Sequence, residues 1–246
     1  MIKILYIIYQ ICIVLPVILV STVLTAIITS VGSIICSSNF WGYYPGMLWG
    51  RMFCWIFLLP VHIQGRNNIK KGESYIIVAN HQSYFDAFIV YGFIGIKFKW
   101  LMKQEVEKIP FVGAACKAAG HILIDRSSSI KSQDSLKTAK NKLVNGMSLV
   151  IFPEGTRTHD GTLGKFKRGA FQIAEELHLP ILPVTIDGAY SVLPRNKWFV
   201  TWHKINITFH KPIPPKGTVD TEEAERITYM RQSSDEAREI ISEYLN

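Results

Sequence analysis

The stretch Ser74-Tyr75-Ile76-Ile77-Val78-Ala79-Asn80-His81-Gln82-Ser83-Tyr84-Phe85-Asp86 sets a short apolar run against a polar turn. Residues 74–79 are of strand type, and the turn at 80–83 leads into a helical run through Tyr91. The same order recurs downstream. Pro110 suits the first position of a helix over 111–119, Gly120 ends it, and 121–125 reads as a strand. Ser132 caps a helix running to Asn145, Gly146 follows at the position where a left-handed glycine closes a helix, and 149–152 is a buried strand. A helix over 169–177 then precedes a strand over 181–186. Short apolar strands alternating with helices predict an α/β fold, a mostly parallel sheet with helices on both faces. In such folds ligands sit beyond the carboxyl ends of the strands.

Working outward to the N-terminus, Ile4 through Gly50 contains no Asp, Glu, Lys or Arg. Its apolar part, the uncharged run from Ile4 to Ile35, exceeds the roughly 20 residues needed to cross a bilayer as a helix. Pro16 and Gly32 interrupt it, and a second apolar run spans Met52 to Val61. Between them lie Asn39, Trp41, Tyr43, Tyr44, Pro45 and Trp49, and amphipathic aromatics settle at the headgroup boundary. The sheet is therefore expected to be preceded by an N-terminal hydrophobic helical hairpin. The polar stretch 64–68 divides the chain into a membrane-associating region, residues 1–64, and a second domain, residues 65–246.

Charge is distributed unevenly. Of 27 Lys and Arg, 22 fall between residues 66 and 219 against 11 acidic side chains, whereas residues 220–246 carry 3 basic and 8 acidic ones. The net charge of +8 thus belongs to the middle of the chain, and with 48% hydrophobic residues it points to lipid headgroups or phosphorylated substrates. No basic-aromatic stacking pattern or helix-turn-helix accompanies it, so nucleic acid is not an expected partner. Cys12, Cys36, Cys54 and Cys116 show no C-x-x-C pairing, and Cys116 with His121 lacks two further ligands, so no metal site is expected.

Two constellations fall just after expected strands. His81 and Asp86 lie five residues apart across a strand-to-helix turn, where a carboxylate can fix an imidazole tautomer and stabilise the imidazolium. This is the base half of a triad without its nucleophile, as suits an attacking hydroxyl that belongs to the substrate. Phe152-Pro153-Glu154-Gly155-Thr156-Arg157 ends a buried strand in a carboxylate, a glycine that admits close backbone approach, and an arginine able to grip phosphate with two donors. His159 and Asp160, beside Gly161, read as a surface turn.

Asn80-His81 with Asp86, followed by Phe152 to Arg157, resembles the glycerolipid acyltransferase family, in particular its bacterial 1-acyl-glycerol-3-phosphate acyltransferases. Two further segments resemble the family in the same order, Gly120-His121-Ile122-Leu123-Ile124-Asp125-Arg126 and Leu182-Pro183-Val184. The likeness spans residues 74–188, with Lys103-Gln104-Glu105 and Pro110 to Gly113 between the first two elements. Departures are small: His121 and Leu123 replace aromatic or β-branched residues, and Thr158 stands where Ser is usual.

The resemblance implies transfer of a fatty acyl group from acyl-carrier protein or coenzyme A to the 2-hydroxyl of lysophosphatidate, giving phosphatidate. It implies His81 as general base and Asp86 as its orienting partner. Arg157, Lys103 and Arg126 would hold the phosphate, and Glu154, Gly155 and Thr156 would shape the glycerol site. Neither acyl-enzyme, metal nor cofactor beyond the thioester co-substrate is expected. The excess of Lys and Arg outside the apolar segment places residues 65–246, the catalytic domain in this reading, on the cytoplasmic face of the inner (plasma) membrane. Two rivals stand beside this reading: an acyltransferase for another lysolipid, and a non-enzymatic module that binds anionic membranes.

Overall fold

Continuous β-branched runs form the centre of the sheet. In the computed structural model, which describes residues 1–124, 142–143, 146–217 and 221–245, the first such run is β2 (Ile76–Ala79), with every residue buried. It lies between β5 (Ser148–Ile151) and β6 (Ile181–Asp187), parallel to both. Beyond β5 come β3 (Phe98–Lys103) and β4 (Ile122–Ile124), also parallel. Beyond β6, β7 (Ile205–Phe209) runs antiparallel, and β1 (Val61–Gln64) lies parallel to β7 at the edge. The order is β1-β7-β6-β2-β5-β3-β4, a mostly parallel seven-stranded sheet.

Alternation along the central strands feeds two cores. Ile77, Ala79 and Val150 face one, while Ile76, Val78, Leu149 and Ile151 face the other. The second core is closed by α5 (Gly169–Leu177) and α7 (Glu223–Ser242). The first is closed by α2 (Tyr44–Ile56) and α3 (Phe85–Phe93), with the short α6 (Ala189–Val192). Both faces are covered, as the strand sequences require. The helix expected over 132–145 falls largely outside the described residues.

The N-terminal segment is one helix, α1 (Ile2–Ile35), long and apolar enough to cross a membrane and only 11% buried over its most apolar window. A five-residue π segment, Gln10–Val14, interrupts its α-helical hydrogen bonding. The second arm differs from the expected one. Its helix begins at Tyr44, where Pro45 suits the first turn, and ends at Ile56. The rest of the run Met52–Val61 turns through Leu58, at φ 57°, into β1. Phe53, Cys54, Phe57 and Leu59 are buried in the first core, so this arm packs as part of the α/β unit. The four residues preceding the expected boundary at 64–65 are likewise a strand of the sheet.

α2 and α3 cross closely enough to require glycine. A Cβ on Gly50 would lie 2.5 Å from the Phe88 carbonyl oxygen, and one on Gly92 2.9 Å from the Arg51 nitrogen. Farther along, Lys99 reaches from β3 to donate to the carbonyls of Ser38 and Ala119. The second of these ends α4 (Val112–Ala118). His121 is buried beside it. Its Nδ1 accepts from the Trp100 N–H, which places the remaining ring proton on Nε2, facing the Tyr91 hydroxyl.

Both features give stability tests. Gly50→Ala and Gly92→Ala should each destabilise the fold by about 1–3 kcal/mol, because backbone must move to admit the methyl; thermal unfolding in detergent measures it, and an unchanged Tm would refute the close crossing. Burial, with Lys99 and Lys142 nearby, pushes the His121 imidazole down to about 3. Below the ordinary value of ~6.5 the unfolded chain binds a proton that the folded chain refuses. The contribution of His121 to stability is therefore complete above pH ~6.5 and is lost as pH falls towards 3. The drop in Tm between pH ~7 and ~5 should shrink in His121→Gln.

Candidate active site

Where β2 ends, Asn80 fastens the chain. Its side chain accepts from the Ile186 N–H and donates to the Ile186 carbonyl, both at 2.8 Å, so the turn is fixed to β6. Five residues later α3 begins, which places Asp86 in its first turn, where backbone N–H groups have no partner inside the helix. Asp86 is fully buried, and its Oδ2 accepts from the N–H groups of Gln82 (2.6 Å) and Ser83 (2.8 Å). The same oxygen lies 2.8 Å from His81 Nδ1. A carboxylate accepts, so Nδ1 carries the proton and the lone pair of the neutral ring is on Nε2. The His81 ring also stacks on Phe152, with centroids 4.0 Å apart and planes 6° apart.

The second motif meets this turn through backbone. Glu154 Oε1 accepts from the His81 N–H at 2.6 Å and Oε2 from the Gly164 N–H at 2.8 Å. Burial raises the Glu154 carboxyl above its ordinary pKa, an effect these two bonds oppose. The Thr158 N–H donates to the His81 carbonyl at 3.0 Å, so both backbone polar groups of His81 are held by the second motif and the residue that follows it. Gly155 takes φ +75° in the intervening turn, a conformation that glycine adopts freely. Arg157 then lies with its guanidinium carbon 3.3 Å from the Tyr84 ring centroid. Among the described residues its Nη1 is buried and has no hydrogen-bond partner.

His81, Asp86, Glu154, Gly155 and Arg157 are thus gathered into one network at the ends of β2 and β5, and Thr156 stands exposed between them. Glu154 is directed at two backbone N–H groups, which gives it a loop-holding part that the hexapeptide alone did not reveal. Lys103 ends β3 with its side chain exposed and paired to Glu105 at 2.8 Å. Arg126 lies outside the described residues. Asp160 accepts from Thr158 and Thr162 within its own turn, and His159 accepts from Arg195, in keeping with a surface loop.

Three contributors went unread in the sequence. Tyr84 supplies the face beneath Arg157, and its place between His81 and Asp86 was the available signal. Asn80 was quoted only as part of a motif. Arg195 donates to the Arg157 carbonyl across 38 residues, a contact with no local signature.

A mainly apolar cleft of ≈ 270 Å³ opens beside this network, lined by Leu101, Ile151, Phe152 and Ile173 with Lys167 and Gln172 among its wall residues.

Residues 60–187, just over half of the chain, match the sequence profile of the family described as Acyltransferase. The chain is 35% identical over 180 residues to the 1-acyl-sn-glycerol-3-phosphate acyltransferase of Limnanthes douglasii, covering 73% of this chain and 62% of that protein. It is 31% identical over 173 residues to the 1-acyl-sn-glycerol-3-phosphate acyltransferase LPAT1, chloroplastic, of Arabidopsis thaliana, covering 70% and 48%. The match therefore spans about half to three fifths of the length of these curated relatives. The fold is similar to the crystal structure of the 1-acyl-sn-glycerophosphate (LPA) acyltransferase, PlsC, from Thermotoga maritima, with a TM-score of 0.67 and 27% identity over 90% of this chain and 95% of that one.

The Glu154 clamp is open to a direct test. Glu154→Ala leaves two N–H groups without their acceptor and should cost about 1–3 kcal/mol, read as a lowered Tm. Glu154→Gln, which keeps one acceptor oxygen, should fall between Ala and wild type.

Proposed function

Because this chain belongs to the acyltransferase family, we propose that it transfers a fatty acyl group from an acyl thioester to the 2-hydroxyl of lysophosphatidate, giving phosphatidate. One observation carries the reading: an imidazole whose Nε2 lone pair is set by Asp86 shares a ridge with an arginine whose buried Nη1 donor has no hydrogen-bond partner among the described residues. A base and an unsatisfied cation joined through the same backbone suit a substrate that carries a hydroxyl near a phosphate. The names of the plant relatives and of the Thermotoga neighbour support that acceptor.

The chemistry follows from the residues. His81 Nε2 takes the proton of the 2-hydroxyl as that oxygen attacks the thioester carbonyl carbon. The tetrahedral intermediate collapses with cleavage of the C–S bond, and the imidazolium returns its proton to the departing thiolate. Asp86, on the opposite side of the ring, stabilises the imidazolium and prevents rotation. The nucleophile comes from the substrate, so neither an acyl-enzyme nor a metal or cofactor enters the scheme. Arg157 grips the phosphate while Tyr84 holds the guanidinium flat, with Lys103 and Arg126 as further cations for the same group. Gly155 and Thr156 border the glycerol. The cleft beside Phe152 receives the apolar acyl chain.

The acyl donor is acyl-carrier protein or coenzyme A, both of which present the same thioester. Residues 65–246 work on the cytoplasmic face of the inner membrane, with the uncharged α1 in or across the bilayer. Thiol release by the purified chain in detergent, with each donor type and with or without lysophosphatidate, tests the reading. His81→Ala should lower kcat on the order of 10²- to 10⁴-fold. Asp86→Asn should lower kcat with little change in KM, and Arg157→Ala should raise the acceptor KM roughly 10- to 100-fold. No acceptor-dependent release with any lysolipid would exclude the enzyme reading.

A further inference from the structure

The segment between α6 and β7 is unusual for one that faces water. Trp198 is 92% exposed, Trp202 58% and Phe199 43%. Large aromatics grouped in this way mark a contact surface. Two hydrogen-bonded junctions join the segment to the apolar N-terminus, and a third ties α1 to the turn after α2. Gln10, buried in the π segment of α1, donates to the Val200 carbonyl and accepts from the Val200 N–H. Trp202 donates through its indole N–H to the Leu58 carbonyl, next to the exposed Trp55 and Leu58. Tyr6 and Tyr9 of α1 donate to Phe57 and Ile56 in the same turn. The aromatic segment, the end of α2 and the first turns of α1 therefore form one continuous surface.

The charge of that surface is one-sided. Between Asp187 and Asp220 there is no acidic residue, and the aromatic segment itself carries Arg195, Lys197 and Lys204. A short aromatic cluster flanked by Arg195, Lys197 and Lys204, continuous with a helix of membrane length, matches the headgroup zone of an anionic bilayer, where indole rings settle and basic side chains meet lipid phosphate. The segment is tied equally to the site. Arg195 donates to the Arg157 carbonyl and to His159 Nε2, and Ser83 donates to the Leu193 carbonyl.

We propose that residues 195–204 are a second lipid-docking element, which seats Trp198, Phe199 and Trp202 in the headgroup region of an anionic bilayer beside α1 and so holds the His81–Arg157 ridge against the membrane from which the acceptor is drawn. The docking stands independently of the chemistry; only its effect on turnover rests on the acyltransferase reading.

The full-length chain, reconstituted into vesicles of equal parts phosphatidylcholine and phosphatidylglycerol, tests it by brominated-lipid quenching of tryptophan emission. The difference between wild type and Trp198→His isolates Trp198. Lipids brominated near the headgroup should quench that difference emission, and aqueous iodide should lose access to it when vesicles are present. Trp198 equally open to iodide with and without vesicles would overturn the proposal, as would shielding without lipid, which would indicate a protein partner. In the activity arm, Trp198→Ala with Phe199→Ala should slow turnover of long-chain acceptor embedded in vesicles and leave turnover of a monomeric short-chain acceptor unchanged. Lys197→Glu and Lys204→Glu should each weaken the dependence on phosphatidylglycerol about fivefold. Equal loss on both acceptors would assign the segment to the site rather than to the membrane. If wild type turns over neither acceptor, the acyltransferase reading fails while the quenching result still decides the docking.

Discussion

A buried carboxylate must find donors, and Glu154 finds one in the backbone N–H of His81. That bond joins the turn after β2 to the turn after β5. Parallel pairing of the two strands brings their carboxyl ends side by side, but it leaves two loops free to move independently. Glu154 and the Thr158–His81 bond remove that freedom, and Asn80 removes the rest by anchoring to β6. The imidazole is then held by its backbone, by its Nδ1 partner and by the Phe152 ring beneath it. Placement of Arg157 relative to Nε2 follows from the same bonds, which is why two motifs more than sixty residues apart behave as one site.

The central fold was legible because its strands obey a simple constraint. A parallel strand covered on both faces is apolar at every position, and 76–79, 149–151 and 181–186 read that way directly. β3 was hidden by Lys97, Lys99 and Lys103, although Lys99 is buried and satisfied by two carbonyls that no local pattern announces. β1 was absorbed into an apolar run that looked like a hairpin arm, since periodicity cannot separate a buried helix end from an edge strand over so few residues. β7, between β1 and β6, alternates buried and half-buried residues and lies among lysines and histidines.

Within the site, chemistry carried in side-chain identity was readable and chemistry carried in contact was not. The spacing of His81 and Asp86 across a turn, and an arginine after a strand end, are local facts. The ring beneath Arg157, the backbone bonds accepted by Glu154 and the tie from Arg195 are facts of tertiary proximity. Lys103 combines the two: its charge at a strand end was readable, whereas its exposed pairing with Glu105 was not.

α1 is tied to the domain at two points along its length, by Gln10 in the π segment and by Thr22, which accepts from the Trp49 indole N–H. At roughly 1.5 Å per residue the 34-residue helix is about 50 Å long, well beyond the ~30 Å hydrocarbon thickness of a bilayer. A helix spanning with that excess relieves the mismatch by tilting. Gln10 bonds both backbone groups of Val200, and Tyr6 and Tyr9 hold the adjoining turn, so tilt of the helix is a rotation of the whole molecule. In the reading proposed above, with α1 across the bilayer, membrane thickness would become a mechanical input: a thinner bilayer would lean the helix further and change the height at which the His81 imidazole meets the lipid surface.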